Sequence, residues 1–151
     1  MPQSLARIAV HIVFSTKNRQ RYLTGDDLRI RMHRELGTIS NKLDCPPVRI
    51  GGVEDHVHIL AYQSRTIALA EWVKELKRVS SMWIKEQSPH QAAFQWQAGY
   101  GAFSVSHSQT PDVVHYIDNQ VEHHRKFDYK TELLTMLRLH EIEYDEQYLW
   151  D

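Results

Sequence analysis

Apolar positions along the chain follow two different periods. From Leu5 to Phe14 they run almost unbroken through β-branched residues, the pattern of a central strand. A basic loop, Thr16-Lys-Asn-Arg-Gln-Arg21, follows. Thr24 then reads as a helix N-cap with Asp27 three residues on, a weaker form of the capping box. Leu28, Met32, Leu36, Ile39 and Leu43 recur at helical spacing until Pro46-Pro47 stops them. Residues 48–53 read as a second strand, with Gly51-Gly52 predicting a bulge or bend near its end, and residues 56–62 as a third. A long helix over 66–87, an irregular stretch over 90–100 and a strand over 101–106 come next. Two more helices follow, at about 110–126 and about 130–142. The order β-α-β-β-α-β predicts an α+β fold with a ferredoxin-like antiparallel sheet, the split βαβ arrangement shared with RNA-recognition sheets. The additional C-terminal helices then pack beside that sheet or against a partner.

On a helical wheel the long helix gathers Leu69, Trp72, Val73, Leu76, Val79, Trp83 and Ile84 on one face. Lys74, Arg78, Ser81 and Lys85 fall together on the opposite side, with Lys77 at the edge. The apolar face is core. The basic face fits either a solvated surface or a phosphate-binding one.

Composition narrows the class. A chain of 151 residues makes one domain with a real core, its sheet portion ending near residue 107. No apolar run reaches the roughly 20 residues that span a bilayer. Arg7 and His11 interrupt the only apolar stretch near the N-terminus, which argues against a signal peptide. Cys45 is the single cysteine, so an intramolecular disulfide and cysteine-rich zinc sites are excluded, and a reducing cytoplasm is expected. The net charge of −1 hides an asymmetry. Residues 1–50 carry nine Lys/Arg against four Asp/Glu, whereas residues 101–151 carry four against ten. Such a division suits a protein that offers one surface to phosphates, although acidic helices also end many proteins that bind none.

The segment Asp55-His-Val-His-Ile-Leu60 holds the most chemistry. In a strand His56 and His58 share a face, with Cα atoms roughly 7 Å apart, while Val57 and Ile59 bury behind them. Two imidazoles so placed can hold one metal ion. On the helix near residues 112–126, Val113, Val114, Ile117 and Val121 mark the buried side. Tyr116, Gln120 and His123 flank it, one turn above another. A tyrosine at such an edge is ordinarily a packing residue. A hydroxyl and an amide oxygen at i and i+4 can nevertheless reach one site, with Gln120 as an oxygen ligand and Tyr116 as a nucleophile. His11, in the first strand, reads as a hydrogen-bonded core histidine. His123 and His124 are within reach of phosphate and are not assigned as ligands.

His-hydrophobic-His on a strand, followed by Tyr-x-x-x-Gln on a later helix, resembles the single-tyrosine HUH transposases of small insertion sequences. His11-Ile-Val-Phe-Ser-Thr-Lys-Asn-Arg19 resembles the family's opening strand and basic loop, and Glu54-Asp-His-Val-His-Ile-Leu60 its metal motif. Gly99-Tyr-Gly-Ala-Phe-Ser-Val-Ser106 resembles its last strand, and Tyr116-Ile-Asp-Asn-Gln-Val-Glu-His-His124 its nucleophile helix. The resemblance implies cleavage and rejoining of single-stranded DNA with hairpin ends through a 5′-phosphotyrosine at Tyr116. It implies a divalent metal, Mg²⁺ or Mn²⁺, on His56, His58 and Gln120. It also implies a homodimer in which the tyrosine helix of one subunit completes the site of the other. Lys17, Arg19 and Arg21, with Lys74, Arg78 and Lys85, are the candidate DNA contacts. Tyr22, Trp96 and Tyr100 are candidate stacking residues whose structural role is the stronger expectation. Two rival readings share much of this pattern. One is a domesticated tyrosine transposase that processes chromosomal palindromes. The other is a non-catalytic ferredoxin-like module that binds nucleic acid, which would display aromatics on its sheet. Here the sheet positions expected to be most open carry His56 and His58.

Overall fold

The unbroken apolar run near the N-terminus follows from burial on both faces. In the computed structural model, which describes residues 2–151, strand β1 (Ala9–Ser15) is buried along its whole length. Alternation sends Val10, Ile12 and Phe14 into one core and Ala9 and Val13 to the other side. β1 lies between β3 (His56–Tyr62) and β4 (Gly101–Val105), with β2 (Pro47–Gly52) beyond β3. The sheet order is β2-β3-β1-β4, and every neighbouring pair is antiparallel. The α+β fold read from the periodicities is therefore present.

Helices α1 (Asp26–Lys42) and α2 (Leu69–Lys85) cover the first face. Trp72, Val73, Leu76 and Ile84 of α2 are buried against Met32, Leu36 and Ile39 of α1 and the inward side chains of β1 and β3. The two indole N–H groups buried here both find hydroxyls: Trp72 donates to Ser40 Oγ at 3.1 Å and Trp96 to Ser80 Oγ at 2.9 Å. Left unpaired, each would cost about 1–3 kcal/mol. Trp96 is thus a core residue. Helix α1 starts differently from the expectation at Thr24. Gly25, at φ 86°, takes the cap position, and no side chain bonds the first turn as a cap.

The second face is covered by the C-terminal helices α3 (Thr110–Asp118), α4 (Gln120–His123) and α5 (Tyr129–Leu139), with a short α6 (Glu146–Leu149) beyond. The single helix expected over 110–126 breaks at Asn119, whose backbone adopts φ −97° and ψ 17°. Helix α5 is shorter than the expected 130–142 and is fixed at its start by Asp128, whose carboxylate accepts from Thr131 N at 2.9 Å.

Gly51 has a more specific role than a bend. A Cβ there would lie 2.8 Å from Ile117 Cγ2 and 3.0 Å from the Ile117 carbonyl oxygen, so its absence lets α3 sit directly on β2. Gly52 takes φ 155°, the chain bends just beyond the strand at Glu54–Asp55, and the register irregularity of β2 lies at its other end, between Pro47 and Arg49. We expect Gly51→Val to lower stability by about 1–3 kcal/mol, the usual effect of overpacking. Thermal melting measures that loss, and the same shift of α3 would move Tyr116.

Candidate metal and nucleophile site

Strand alternation puts His56 and His58 on the second face of the sheet while Val57 and Ile59 enter the first core. The histidines are not on an open sheet surface, as the sequence suggested. Both are fully buried, because α3 to α5 close over that face. Their Nδ1 and Nε2 atoms have distinct surroundings. His56 Nδ1 lies 2.6 Å from Asp55 Oδ1, and its Nε2 lies 3.1 Å from Gln120 Oε1 and 3.3 Å from Glu132 Oε1. His58 Nδ1 lies 2.8 Å from His11 Nε2, and its Nε2 lies 2.9 Å from Glu132 Oε1. His11 is therefore a partner of a site histidine as well as a buried strand residue.

The break at Asn119 does not separate Tyr116 from Gln120. The Tyr116 hydroxyl donates to Glu132 Oε2, and Gln120 Nε2 donates to the same oxygen at 3.1 Å. The Tyr116 ring lies 5.7 Å from that of His58 and 6.3 Å from that of His11. The structure thus brings together Tyr116, His56, His58 and Gln120 within one chain. Ile117 against Gly51 and the short link over 106–109 dock α3 on its own sheet.

Glu132 is the central residue that sequence reasoning missed. It is 3% exposed and touches His56, His58, His124, Gln120 and Tyr116. A signal was available. Tyr129, Leu133 and Leu137 form the buried stripe of α5, and Glu132 sits on the same stripe, where a carboxylate is costly unless several groups bind it. His124, set aside from the sequence, places Nε2 3.0 Å from Gln120 Oε1 and 3.2 Å from Glu132 Oε2, while its Nδ1–H donates to Phe127 O at 2.6 Å. Among the described residues, His56, His58, His124 and Glu132 each offer a ligand atom within 4.8 Å of the others. His123 Nε2 lies 3.2 Å from Glu132 Oε2 but has no hydrogen-bond partner, so proximity there does not amount to a bond.

Charge in this dry site is arranged around Glu132. Burial works against protonation of His56, but hydrogen bonds to Asp55 and Glu132 and the charges of both carboxylates outweigh it and raise its pKa to about 9. Burial keeps His58 below the usual imidazole value, and burial with the neighbouring His58 takes His11 down to about 3. Burial disfavours the Glu132 carboxylate, yet His58, His124 and His56 hold its pKa well below the usual range. Tyr116 is pushed far above an ordinary phenol, by burial first and by Glu132 second. It is therefore not a standing phenolate.

The basic candidates lie elsewhere. Lys74 and Arg78 line a groove with Ser81, Trp96 and Tyr100, and Lys17 lines a second one that shares Gln95, Trp96 and Ala98 with the first. The structure thus brings Lys17 and the α2 cations to two sides of one segment. Lys85 is exposed at the end of α2 and lines neither groove. Arg78 pairs with Glu75 at 2.7 Å, Lys74 with Glu71 at 3.8 Å and Arg21 with Glu54 at 3.8 Å, while the Arg19 guanidinium lies 5.6 Å from the Trp150 ring. Lys77 is structural: its ammonium donates to the carbonyls of Gln97, Ala98 and Gly99, and burial lowers its pKa to about 8.

A family model described as "Transposase IS200 like" matches residues 4–120, which include the paired histidines, Tyr116 and Gln120. The chain belongs to the IS200-like transposase family. Its fold is similar to that of a candidate transposase from Deinococcus radiodurans R1, with 22% identity over 80% of this chain and 95% of that one, at a TM-score of 0.62. It is also similar to a REP-associated tyrosine transposase bound to a REP hairpin, with 12% identity over 82% of this chain and 73% of that one, at a TM-score of 0.54. No curated protein matches the chain. Glu132 and His124 lie beyond the matched residues, on the part of the chain that closes the site. No helix among the described residues is long and apolar enough to cross a membrane.

Proposed function

We propose that this IS200-like transposase cleaves and rejoins single-stranded DNA at hairpin-marked ends, with Tyr116 as nucleophile and a divalent cation held at His56, His58 and Gln120. The observation that carries the reading is the surroundings of His56. Its Nδ1–H is committed to Asp55, and its Nε2 faces two oxygens, Gln120 Oε1 and Glu132 Oε1. Such a convergence of acceptors is reconciled only by a proton or a cation. Nearby, His58 Nε2 is freed as a donor atom when its Nδ1–H points to His11. Asp55 and His11 then do what outer partners of metal-bound histidines do, fixing the tautomer and the ring orientation. Glu132 Oε1 adds a carboxylate oxygen to the set. Mixed nitrogen and oxygen donors suit Mn²⁺, and Mg²⁺ is the harder alternative.

A cation bound there supplies Lewis-acid polarisation of a phosphoryl oxygen. The chain's own groups account for the rest. Glu132 presents Oε1 to the histidines and Oε2 to the Tyr116 hydroxyl, so it orients the phenol, whose proton ends on the departing 3′-oxygen. The Tyr116 oxygen bonds to phosphorus as the bond to the 3′-oxygen breaks, leaving a 5′-phosphotyrosine and a free 3′-hydroxyl. Attack by another 3′-hydroxyl reverses the step and joins new strands. Hairpin recognition is carried over from the REP-hairpin complex of the similar transposase. A homodimer would rebuild the same site if two chains exchanged the segment from α3 onward.

The test is incubation with labelled hairpin oligonucleotides and Mn²⁺, followed by denaturing electrophoresis. We expect a protein–DNA adduct with Mn²⁺ and none with EDTA. Tight metal-independent binding without any adduct would favour the non-catalytic binding module. Lys17, Arg19, Arg21, Lys74, Arg78 and Lys85 form the proposed phosphate track. Replacing both Lys74 and Arg78 by Ala should flatten the log–log salt dependence of binding by about 1.4, at roughly 0.7 per phosphate contact on single strands. Filter binding across a salt series measures that slope.

A further inference from the structure

Beside Tyr116, the second face of the protein opens into a cavity of about 400 Å³ that His56 does not line. Its apolar wall is made by Val113 of α3, Phe127, and Met136 and Leu139 of α5. Thr131 and Thr135 add hydroxyls, and His140, whose imidazole packs 4.6 Å from the Phe103 ring, lines it as well. Tyr116 and Glu132 themselves line the cavity, so it begins where the nucleophile ends. Nothing in the proton transfer or the donor set described above uses it. Its size falls in the range of small-molecule sites, roughly 300–1,000 Å³, and its chemistry is theirs: apolar walls with a few polar groups. Phe127 and Leu139 remain 48% and 71% exposed on its border, apolar surface left uncovered in the free chain.

We propose that this cavity takes up one nucleobase, from a nucleotide next to the scissile phosphate, turned out of the strand. The inference rests on the transposase reading for its position and on the cavity for its content. A phosphate in line with the Tyr116 oxygen brings the bases of its two flanking nucleotides next to Tyr116, which itself lines the cavity. The base has an apolar face for Val113, Phe127 and Met136 and polar edges for the threonine hydroxyls and His140. Enzymes that act on nucleic acid hold extruded bases in this way, between apolar or aromatic groups with hydrogen bonds at the edge. Seating the base would fix the phosphate against Tyr116, so the cavity acts as a positioning and specificity element.

Two measurements test this. In the first, oligonucleotides carrying a single abasic residue at successive positions around the cut are cleaved by the wild type and by Thr135→Phe, which fills the cavity. An abasic residue at one of the two positions flanking the cut should slow cleavage roughly 10- to 100-fold, the factor expected from losing one stacked base. Thr135→Phe should show a similar loss on the intact strand and no further loss on that abasic strand. Equal cleavage of intact and both flanking abasic strands overturns the proposal. In the second, deoxynucleoside 5′-monophosphates are titrated into protein carrying ¹³C-methyl methionine. The Met136 methyl resonance should shift in the wild type and stay unmoved in Thr135→Phe. Met136 shifts without cleavage of any oligonucleotide would support the base pocket and remove the transposase reading. Cleavage that ignores abasic residues, with no Met136 shift, would do the reverse.

Discussion

Tyr116→Phe should lose DNA cleavage by on the order of 10⁴-fold or more, the scale seen when a covalent nucleophile is removed, while still binding metal and DNA. The substitution deletes one oxygen. The ring that packs beside His58 and His11 stays, so the walls of the site are kept. What disappears is the hydroxyl that donates to Glu132 Oε2. A hydrogen bond to a buried charged group is worth about 1.5–3 kcal/mol, so some loss of stability is expected. Gln120 and His124 continue to hold that oxygen and limit the damage. Cleavage kinetics beside a thermal melt separate these effects. A folded Tyr116→Phe protein that cuts DNA at a comparable rate would move the nucleophile elsewhere.

Glu132→Ala should have the largest effect on the metal-free protein. Removing one member of a buried charge network leaves the others without compensation, at a cost of about 3–5 kcal/mol. For a chain of this length each kcal/mol is worth roughly 2–4 °C in melting temperature. The loss has a pH signature. In the metal-free protein His56 is held at about 9, above the 6.5 of an ordinary imidazole, with burial opposing and Asp55 and Glu132 prevailing. A raised folded pKa means that the native state binds the proton more tightly. Its contribution is therefore present in full below pH 6.5 and is lost as pH rises through about 9. At 1.36 kcal/mol per unit the loss is about 3 kcal/mol. Metal-free wild type should thus weaken toward pH 10, and Glu132→Ala should start lower and lose less. Denaturant melts at pH 6 and pH 10 in EDTA provide the comparison. Identical pH dependence in the two proteins would show that Glu132 does not hold the His56 proton.

Much of the site was legible because its spacing is local. His56 and His58 share a strand face by alternation, and Tyr116 and Gln120 share a helix flank by the i, i+4 rule; both relations survive in the fold. The sheet was legible for a similar reason, since the order of periodicities gives the order of elements. Other features depend on contacts distant in sequence. That His56 and His58 are buried depends on where α3 to α5 dock, and that depends on a missing Cβ at Gly51. Glu132 lies 74 residues from its bond to His58, and only its place on an apolar helical stripe hinted at burial. His11 looked like a core residue because it is one; that its Nε2 meets His58 is a matter of strand register. Lys77 looked like part of the basic face, but its ammonium turns inward to three carbonyl oxygens.

Mass spectrometry of the proteolysed protein–DNA adduct formed on a hairpin oligonucleotide with Mn²⁺ tests Tyr116 as the nucleophile. We expect one modified peptide, carrying a 5′-phosphonucleotide on Tyr116, and none from Tyr116→Phe. A nucleotide found on another tyrosine, or on no tyrosine at all while the strand is cut, would contradict it.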